Sequence, residues 1–358
     1  MKRLAIMLIA ILLISCFSCI SGTEPEEKKS IREYTWTVDT IAYEGASQTL
    51  MYSVWGSSAS NVYITGHTDI GYGKLWRYTG FIWKHIDVFQ DVPIGPISLE
   101  DVHGTGSDNV WVVGSRFSTN PAPPPNFLHQ SLILQYNGNK WIEHNVKTKS
   151  SVYAVHAVTP TDVWACGADG LVYHYDGNTW DIDTMKVSAP VDGLFQSLSI
   201  AKFDNNIYMM AVKIENSGLN RTDYFYKMGN NTWALQDTFI HAAGNILKWG
   251  SKLYKTSFNK LYSYGEGGIY ELEGSEWKNI YSNGTSVTGL YETGEKNILI
   301  TTSYSKAFYY DGNTWEEITV LRNTETLFSG VYMDNSEVFI TGYILSDFPM
   351  KSIVIRGK

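Results

Sequence analysis

An acidic pair, Glu100 and Asp101, is the feature of this sequence that most resembles catalytic machinery. Two carboxyl groups held about 5–9 Å apart can act as acid, base or nucleophile in glycoside hydrolysis. Folding sets that separation, so the sequence leaves hydrolysis open. Two adjacent acids near a strand end are also ordinary on a solvated strand, and we prefer this second interpretation.

The remaining reactive side chains predict no catalytic centre, no metal site and no cofactor. His103 and His156 hold a repeat position that Trp55 holds elsewhere, so we expect them to pack or hydrogen-bond near a central channel. Cys166 lies on an alternating strand and is predicted to be a small buried core residue. A sialidase-like site needs three arginines around one carboxylate. The arginines beyond the N-terminal segment occupy no matching positions: Arg77, Arg116, Arg221, Arg322 and Arg356.

The elements that position these residues form a repeat. Each unit has an apolar first strand, a second strand ending at Gly, a third strand ending in Tyr-x-Gly, and a fourth strand opening with Trp. The apolar residues alternate with a period of two, which is typical of strands, and Asp-Gly or Asn-Gly turns supply the positive φ of tight hairpins. The strand-opening tryptophans are Trp83, Trp141, Trp180, Trp233, Trp277 and Trp315.

The two ends of the chain complement each other. The last unit stops where its fourth strand is due, and an orphan fourth strand surrounds Trp36. We therefore predict an all-β, seven-bladed β-propeller of four-stranded antiparallel blades, closed by the N-terminal strand. Specifically, Thr35–Val38 is predicted to pair with Ser352–Ile355. Two unrelated β-sandwiches would not explain this complementarity.

The blade motif resembles known propeller repeats. The Gly, Tyr and Trp spacing is similar to Kelch repeats, with one Gly where Kelch has two, and Asp176–Trp180 and Asp311–Trp315 resemble the Asp-box of sialidase-like propellers. The motifs most resemble bacterial secreted repeat lipoproteins with Trp-Gly-Ser-Ser, Asp-Val-Trp-x-x-Gly and Tyr-Asp-Gly-x-x-Trp units. This resemblance covers roughly residues 45–358. It implies the fold and says little about activity, because many functions share such repeats.

The N-terminus predicts export and lipidation. Two basic residues and an apolar run, too short to span a bilayer, indicate a signal peptide over residues 1–15. Leu13–Cys16 resembles a lipobox, so Cys16 is the predicted lipidation site, with Cys19 a weaker candidate and an ordinary signal peptide the alternative. By resemblance to lipoprotein sorting, Phe17 after the cysteine favours the outer membrane over the inner one. Residues 16–33 then form a lipidated flexible tether, and 34–358 form the propeller.

Charge and loop lengths limit the partners. The net charge of −8 argues against nucleic acid. Segments between second and third strands are predicted to be long, irregular loops, and variable loops on a rigid scaffold often carry binding sites. These segments are 67–74, 115–131, 213–223, 257–268 and 344–352.

We therefore expect a monomeric, lipid-anchored protein of the cell envelope. It is predicted to bind a protein or glycan, without catalysis, on the face of the propeller that carries the long loops between second and third strands. The sequence does not identify the residues that bind. The alternative is a carbohydrate-active enzyme, a glycoside hydrolase or lyase, with its site in the central channel. A buried acid pair with raised pKa values would favour the enzyme. An uncharged aromatic face would favour binding.

Overall fold

The computed structural model describes residues 30–92, 95–119, 127–185, 193–215, 218, 220–322, 325–346 and 348–358. The predicted signal peptide, Cys16 and most of the tether lie outside these residues. A first unit ends at Tyr34 and contains a 3-10 turn, Ile31–Glu33, with a capping box between Ser30 and Glu33. Within the described ranges, no helix has the length and apolar character needed to cross a membrane.

The second unit, Thr35–Lys358, contains seven four-stranded antiparallel sheets. These sheets are the blades of the predicted propeller, numbered here in chain order.

Four rows of strands run around the ring. The first strands of blades 1 to 7 are β2 (Thr49–Ser58), β6 (Ile97–Gly106), β10 (Val152–Thr159), β14 (Leu194–Phe203), β18 (Lys252–Lys255), β22 (Val287–Glu292) and β26 (Thr326–Met333). The second strands are β3 (Asn61–Thr68), β7 (Asn109–Thr119), β11 (Asp162–Gly167), β15 (Asn206–Glu215), β19 (Leu261–Gly265), β23 (Ile298–Thr302) and β27 (Val338–Ile344). The third strands are β4 (Leu75–Tyr78), β8 (Phe127–Tyr136), β12 (Leu171–Tyr175), β16 (Asn220–Gly229), β20 (Gly268–Glu273), β24 (Ala307–Tyr310) and β28 (Ser352–Gly357).

The fourth strands complete each sheet. They are β5 (Trp83–His85), β9 (Trp141–Glu143), β13 (Trp180–Thr184), β17 (Thr232–Ile240), β21 (Glu276–Tyr281), β25 (Trp315–Glu317) and, for blade 7, β1 (Trp36–Ile41). Short 3-10 turns, Val88–Gln90 and Thr319–Leu321, lie in the connections from blade 1 to 2 and from blade 6 to 7.

The N-terminal strand closes the ring as predicted, with a corrected register. Strand β1 pairs antiparallel with β28 from Trp36 opposite Gly357 to Ile41 opposite Ser352. Within the predicted segments only Val38 and Ile355 face each other. The observed pairing extends beyond the predicted segments on both strands. It requires glycine at position 357, because a Cβ there would strike the Trp36 ring.

A second set of contacts joins this closing strand to blade 1. Asp39 of β1 accepts hydrogen bonds from Arg356 Nε at 2.6 Å and from Trp83 Nε1 at 3.1 Å. The Arg356 guanidinium also lies over the Tyr78 ring, 4.8 Å from its centre. The closing strand is thus held both in its own sheet and against the neighbouring blade.

The Tyr-x-Gly and Trp motif forms one local structure in four blades. In blade 3, the Tyr175 hydroxyl donates to the Gly177 carbonyl at 2.8 Å, and the Tyr175 ring lies 5.3 Å from Trp180. The Asp176 carboxylate accepts from two backbone N–H groups of the turn. Gly177 has a φ of +95°, which disfavours any side chain. The same Tyr-to-Gly bond recurs at Tyr78, Tyr136 and Tyr310.

The core lies between blades, and each of the six tryptophans packs there. Trp141 is buried in a cluster of blades 1 and 2, and the other five are partly buried at successive interfaces. Trp180, for example, meets Trp111 of the preceding blade edge-on, with ring centres 5.8 Å apart. All six tryptophans thus lie between neighbouring blades, and of the six Trp141 is the one that is fully buried, at 4% exposure.

The predicted loops need correction. Segment 257–268 is no loop, because β19 occupies Leu261–Gly265 and only residues 266 and 267 join it to β20. Its alternating Leu-Tyr-Ser-Tyr-Gly pattern is that of a second strand. In blades 2 and 4 the strands continue pairing past the expected strand ends, to Thr119 opposite Phe127 and Glu215 opposite Asn220, which satisfies backbone groups that a loop would leave to water. The expected loops after Thr68 and after Ile344 are present.

Candidate functional site: the central channel

A cavity of about 480 Å³ lies at the centre of the ring and is lined by the first strands of all seven blades. Antiparallel geometry places the beginning of each first strand at the same face as the connections between second and third strands. We call this face the loop face. The cavity is the place where the fold brings together side chains from blades far apart in sequence.

A bulge near the loop-face end of the first strands directs one residue per blade towards this cavity. The ladder between first and second strands shifts register at this position in six blades. The bulge residues are Tyr52, Glu100, Tyr153, Leu198, Thr288 and Ser329, and all line the cavity. The sequence signal was available: each lies two positions before an aliphatic residue of an inner strand.

The bulge also explains the Gly that ends most second strands. It brings the first-strand backbone onto the facing residue, so that a Cβ at Gly114 would overlap the Ser98 carbonyl oxygen. The same overlap would arise at Gly66 and Gly167. The Gly repeat is therefore a requirement for close backbone approach, and it marks the level of the channel at which the bulge residues lie.

Asp101 is a structural joint between three blades. Its Oδ1 accepts hydrogen bonds from Ser53 Oγ at 2.6 Å and from the Val102 N–H at 3.0 Å, and its Oδ2 accepts from the Val155 N–H at 2.9 Å. Burial nevertheless raises the pKa of this carboxyl group, and the hydrogen bonds oppose that rise. Both oxygens are occupied by the protein, which leaves Asp101 poorly suited to proton transfer or attack.

Inner-strand serines elsewhere in the ring also join neighbouring blades. Ser199 Oγ accepts from the Leu253 N–H at 3.0 Å, joining blade 4 to blade 5. Ser329 Oγ, one position earlier, donates to the Met51 carbonyl at 2.8 Å, joining blade 7 to blade 1. Polar side chains of the inner strands thus hold the ring together.

Glu100 differs from Asp101 although the two are adjacent. Its carboxylate accepts one hydrogen bond, from Ser98 Oγ at 2.9 Å. Burial, and to a smaller extent the neighbouring Asp101 charge, raises the pKa of Glu100. The predicted acid pair therefore exists with raised pKa values, as the enzyme alternative requires, but one member is fixed and only Glu100 remains available in the cavity.

Histidines and aromatic rings form the next layer of the channel. The rings of His103 and His156 lie 5.2 Å apart, and Trp55 lies 6.1 Å from His103, so the predicted repeat position is confirmed. His103 Nδ1 accepts from the Ala157 N–H at 3.2 Å. Burial lowers the pKa of His103 to about 3 and that of His156 to about 4. Both are therefore neutral at pH 7, and they pack as polar aromatics.

Other residues singled out from the sequence have local roles. Cys166 is buried and donates to the Ser197 carbonyl, and burial raises the pKa of its thiol far above the usual range, as expected of a core residue. Each arginine contacts its own partner and none lines the cavity; the partners of Arg77, Arg116, Arg221, Arg322 and Arg356 are Asn61, Glu143, Asp223, Glu317 and Asp39. Among the described residues, no group of three potential ligands could hold a metal ion.

Among the residues that the structure describes, the loop face exposes more large apolar side chains than the opposite face does. Phe348, in the loop between β27 and β28, is 83% exposed. Others at strand ends or connections of this face are Tyr72, Leu128, Leu194, Ile240, Ile246, Tyr304, Val320 and Leu345. The opposite face exposes Phe81 and Ile82, both in one turn of blade 1. Exposed apolar side chains on the face where a polar cavity opens are suited to docking.

Comparisons with known proteins identify the fold alone. No protein-family model matches the sequence, and no curated protein matches it. A solved structure described as YCF48 bound to D1 peptide is similar to this chain, with 12% identity, a TM-score of 0.60, and coverage of 90% of this chain and 95% of that one. YCF48 from Cyanidioschyzon merolae is similar with 11% identity, a TM-score of 0.56, and coverage of 89% and 98%. At these identities the likeness establishes a shared seven-bladed propeller architecture.

Proposed function

We propose that this protein is a non-catalytic binding module that takes a segment of a partner protein on its loop face, at the mouth of the channel. The observation that carries the proposal is the contrast between the two parts of the site. Asp101, Ser199 and Ser329 of the inner strands form hydrogen bonds between blades, whereas the loop face leaves large apolar side chains in solvent.

The chemistry of the acids favours binding over the enzyme alternative. Glycoside hydrolysis needs two carboxyl groups that are free to act on the substrate, and Asp101 accepts three hydrogen bonds from the protein. A glycan remains the second candidate partner, but the exposed apolar residues favour a protein. The solved propeller described as YCF48 bound to D1 peptide is an example of the same fold holding a peptide.

A matched pair of exposed phenylalanines tests the surface. Phe348→Glu places a charge on the loop face, and Phe81→Glu places the same charge on the opposite face, where Phe81 is 89% exposed. Peptides selected from a random library on the wild-type protein should lose at least about tenfold in affinity for the first variant and keep their affinity for the second. Equal binding to both variants, or binding only to glycans on an array, would refute the proposal.

We further propose that the protein is a monomer in the cell envelope, anchored by lipid at Cys16 and sorted to the outer membrane. The support is the lipobox-like Leu13–Cys16 segment after an apolar signal. Several acyl chains would anchor the protein stably, since each buried CH₂ contributes about 0.8 kcal/mol. Cys16→Ser should abolish labelling by a fatty-acid analogue and release the protein from membranes, whereas Cys19→Ser should do neither. Unchanged labelling of Cys16→Ser would contradict this anchor.

A further inference from the structure

Among the described residues, few groups satisfy the carboxyl group of Glu100. Within the described ranges, no Lys, Arg or His lies within ion-pair distance of its carboxylate, and Ser98 Oγ is its one hydrogen-bond donor. Charged groups withdrawn from water are costly unless paired. The raised pKa of Glu100 reflects that cost. A carboxylate held in this way, in a cavity, is arranged for a cation that arrives from outside.

Two tyrosines flank this carboxylate. Tyr52 and Tyr153 hold the bulge position in blades 1 and 3, on either side of Glu100 in blade 2, and all three line the cavity. The Glu100 charge raises the pKa of both phenols, after the larger effect of burial, so the three side chains are near neighbours. Gln196 Nε2 donates to the Tyr153 hydroxyl at 3.3 Å and helps to fix that ring.

Lys252, on the opposite side of the cavity, does not neutralise this cluster. Lys252 and Lys255 lie on β18 of blade 5 and line the cavity, and within the described residues neither forms an ion pair with Glu100. The Lys252 charge lowers the pKa of Asp101. The cavity-lining carboxylate of blade 6, Glu292, accepts two hydrogen bonds from Ser257, which leaves Glu100, on the side formed by blades 1 to 3, as the acid of the cavity with the fewest donors. A ligand cation would find its most favourable position there.

The residue types select among possible cations. Calcium requires six to eight oxygen ligands, and Asp101, the nearest second carboxylate, already accepts three hydrogen bonds. A carboxylate beside aromatic rings suits an organic cation, which gains a charge-assisted hydrogen bond and cation–π contact together. We propose that the bound protein segment inserts an arginine or lysine side chain between Tyr52 and Tyr153, with its charge at Glu100. This inference rests on the proposed function, since it names the group that the partner presents.

Isosteric probes test the charge directly. The probes are acetylated, fluorescent pentapeptides with a central arginine or a central citrulline, which has the same shape without the charge. By fluorescence anisotropy, the wild-type protein should prefer the arginine peptide at least about tenfold. Glu100→Gln should abolish that preference, whereas Glu44→Gln, which removes an exposed acid from the same face outside the cavity, should preserve it. Tyr52→Phe should retain binding and Tyr52→Ala should weaken it.

The outcomes separate this inference from the proposed function. If library peptides bind in a way that depends on Phe348 but show no preference for basic residues and no response to Glu100→Gln, the cation site is refuted and the binding face stands. If arginine peptides bind through Glu100 while Phe348→Glu has no effect, the cation site stands and the face is refuted. Equal binding of arginine and citrulline peptides overturns the inference. Glu100→Gln should unfold at the same or a higher urea concentration than wild type, which excludes misfolding as the cause of lost binding.

Discussion

Ile41→Ala should destabilise the whole propeller, although Ile41 lies in the first strand of the described chain. Ile41 is 1% exposed and packs in the cluster that joins blade 7 to blade 1, together with Met51 and Phe339. Truncating a buried Ile to Ala costs about 2–5 kcal/mol through lost burial and the cavity that remains. We expect a loss of about 3 kcal/mol, because Ile41 is almost fully buried among residues of both blades in this cluster.

Urea unfolding followed by tryptophan fluorescence measures this cost. With an m-value of roughly 3 kcal/mol/M or more, the midpoint should fall by about 1 M at unchanged slope. Val38→Ala is the matched control, since Val38 lies on the same strand and is 61% exposed; it should change the unfolding free energy by less than about 0.5 kcal/mol. A loss below about 1 kcal/mol for Ile41→Ala, or equal losses for both variants, would mean that β1 is a peripheral addition. We expect deletion of the chain up to residue 41 to expose Ile353 and Ile355 and to cause aggregation. If β1 were a peripheral addition, the same deletion would leave cooperative unfolding intact.

Three other perturbations test the repeat and the channel. Trp180→Ala should cost about 3 kcal/mol of unfolding free energy, because the ring fills an inter-blade contact; a loss under about 1 kcal/mol would place the ring on the surface. Gly114→Ala should cost more than about 2 kcal/mol, because its Cβ would overlap a backbone carbonyl that the bulge holds in place, and a wild-type urea midpoint would show that the bulge is pliable. Lowering the pH from 7 to 5 should destabilise the protein. The pKa values of His103 and His156 are near 6.5 in the unfolded chain and about 3 and about 4 in the folded protein, so the unfolded chain binds more protons between pH 7 and pH 5. A variant with Asn at both positions should lose part of this pH dependence.

The sequence predicts the architecture well because each repeated motif marks a position that packs in the same way in several blades. The Trp, Tyr-x-Gly and terminal Gly signals each satisfy one local requirement, and the vacancy in the last unit identifies the closing strand around Trp36. The errors arose where local pattern was weak. The predicted loop 257–268 differs from the structure because the turn after the first strand of blade 5, residues 256–260, is longer than those of blades 1 to 4. The register of β1 was displaced because pairing of β1 with β28 depends on contacts such as Trp36 over Gly357, between residues far apart in the chain.

The site was predictable only in outline. Glu100 and Asp101 stood out as adjacent acids, and the sequence could not show that one would accept bonds from two other blades while the other faced the cavity. That distinction depends on a β-bulge, which shifts the backbone by one residue and separates the directions of neighbouring side chains. The flanking positions of Tyr52 and Tyr153 likewise follow from the order of blades around the ring. Such juxtapositions are properties of the closed fold.

The closing strand also has a consequence for synthesis. Thr35 Oγ1 donates to the Lys358 carbonyl, a contact between residues 323 positions apart. At about 5–20 residues per second, a ribosome would take roughly 15–65 s to make the intervening chain, and β1 has no partner strand during that time. Blade 7 can be completed only after β28 has been translated. Only a chain translated past Ser352 can therefore close the ring. A product truncated before Ser352 leaves blade 7 incomplete and exposes unpaired strand edges to proteases and chaperones.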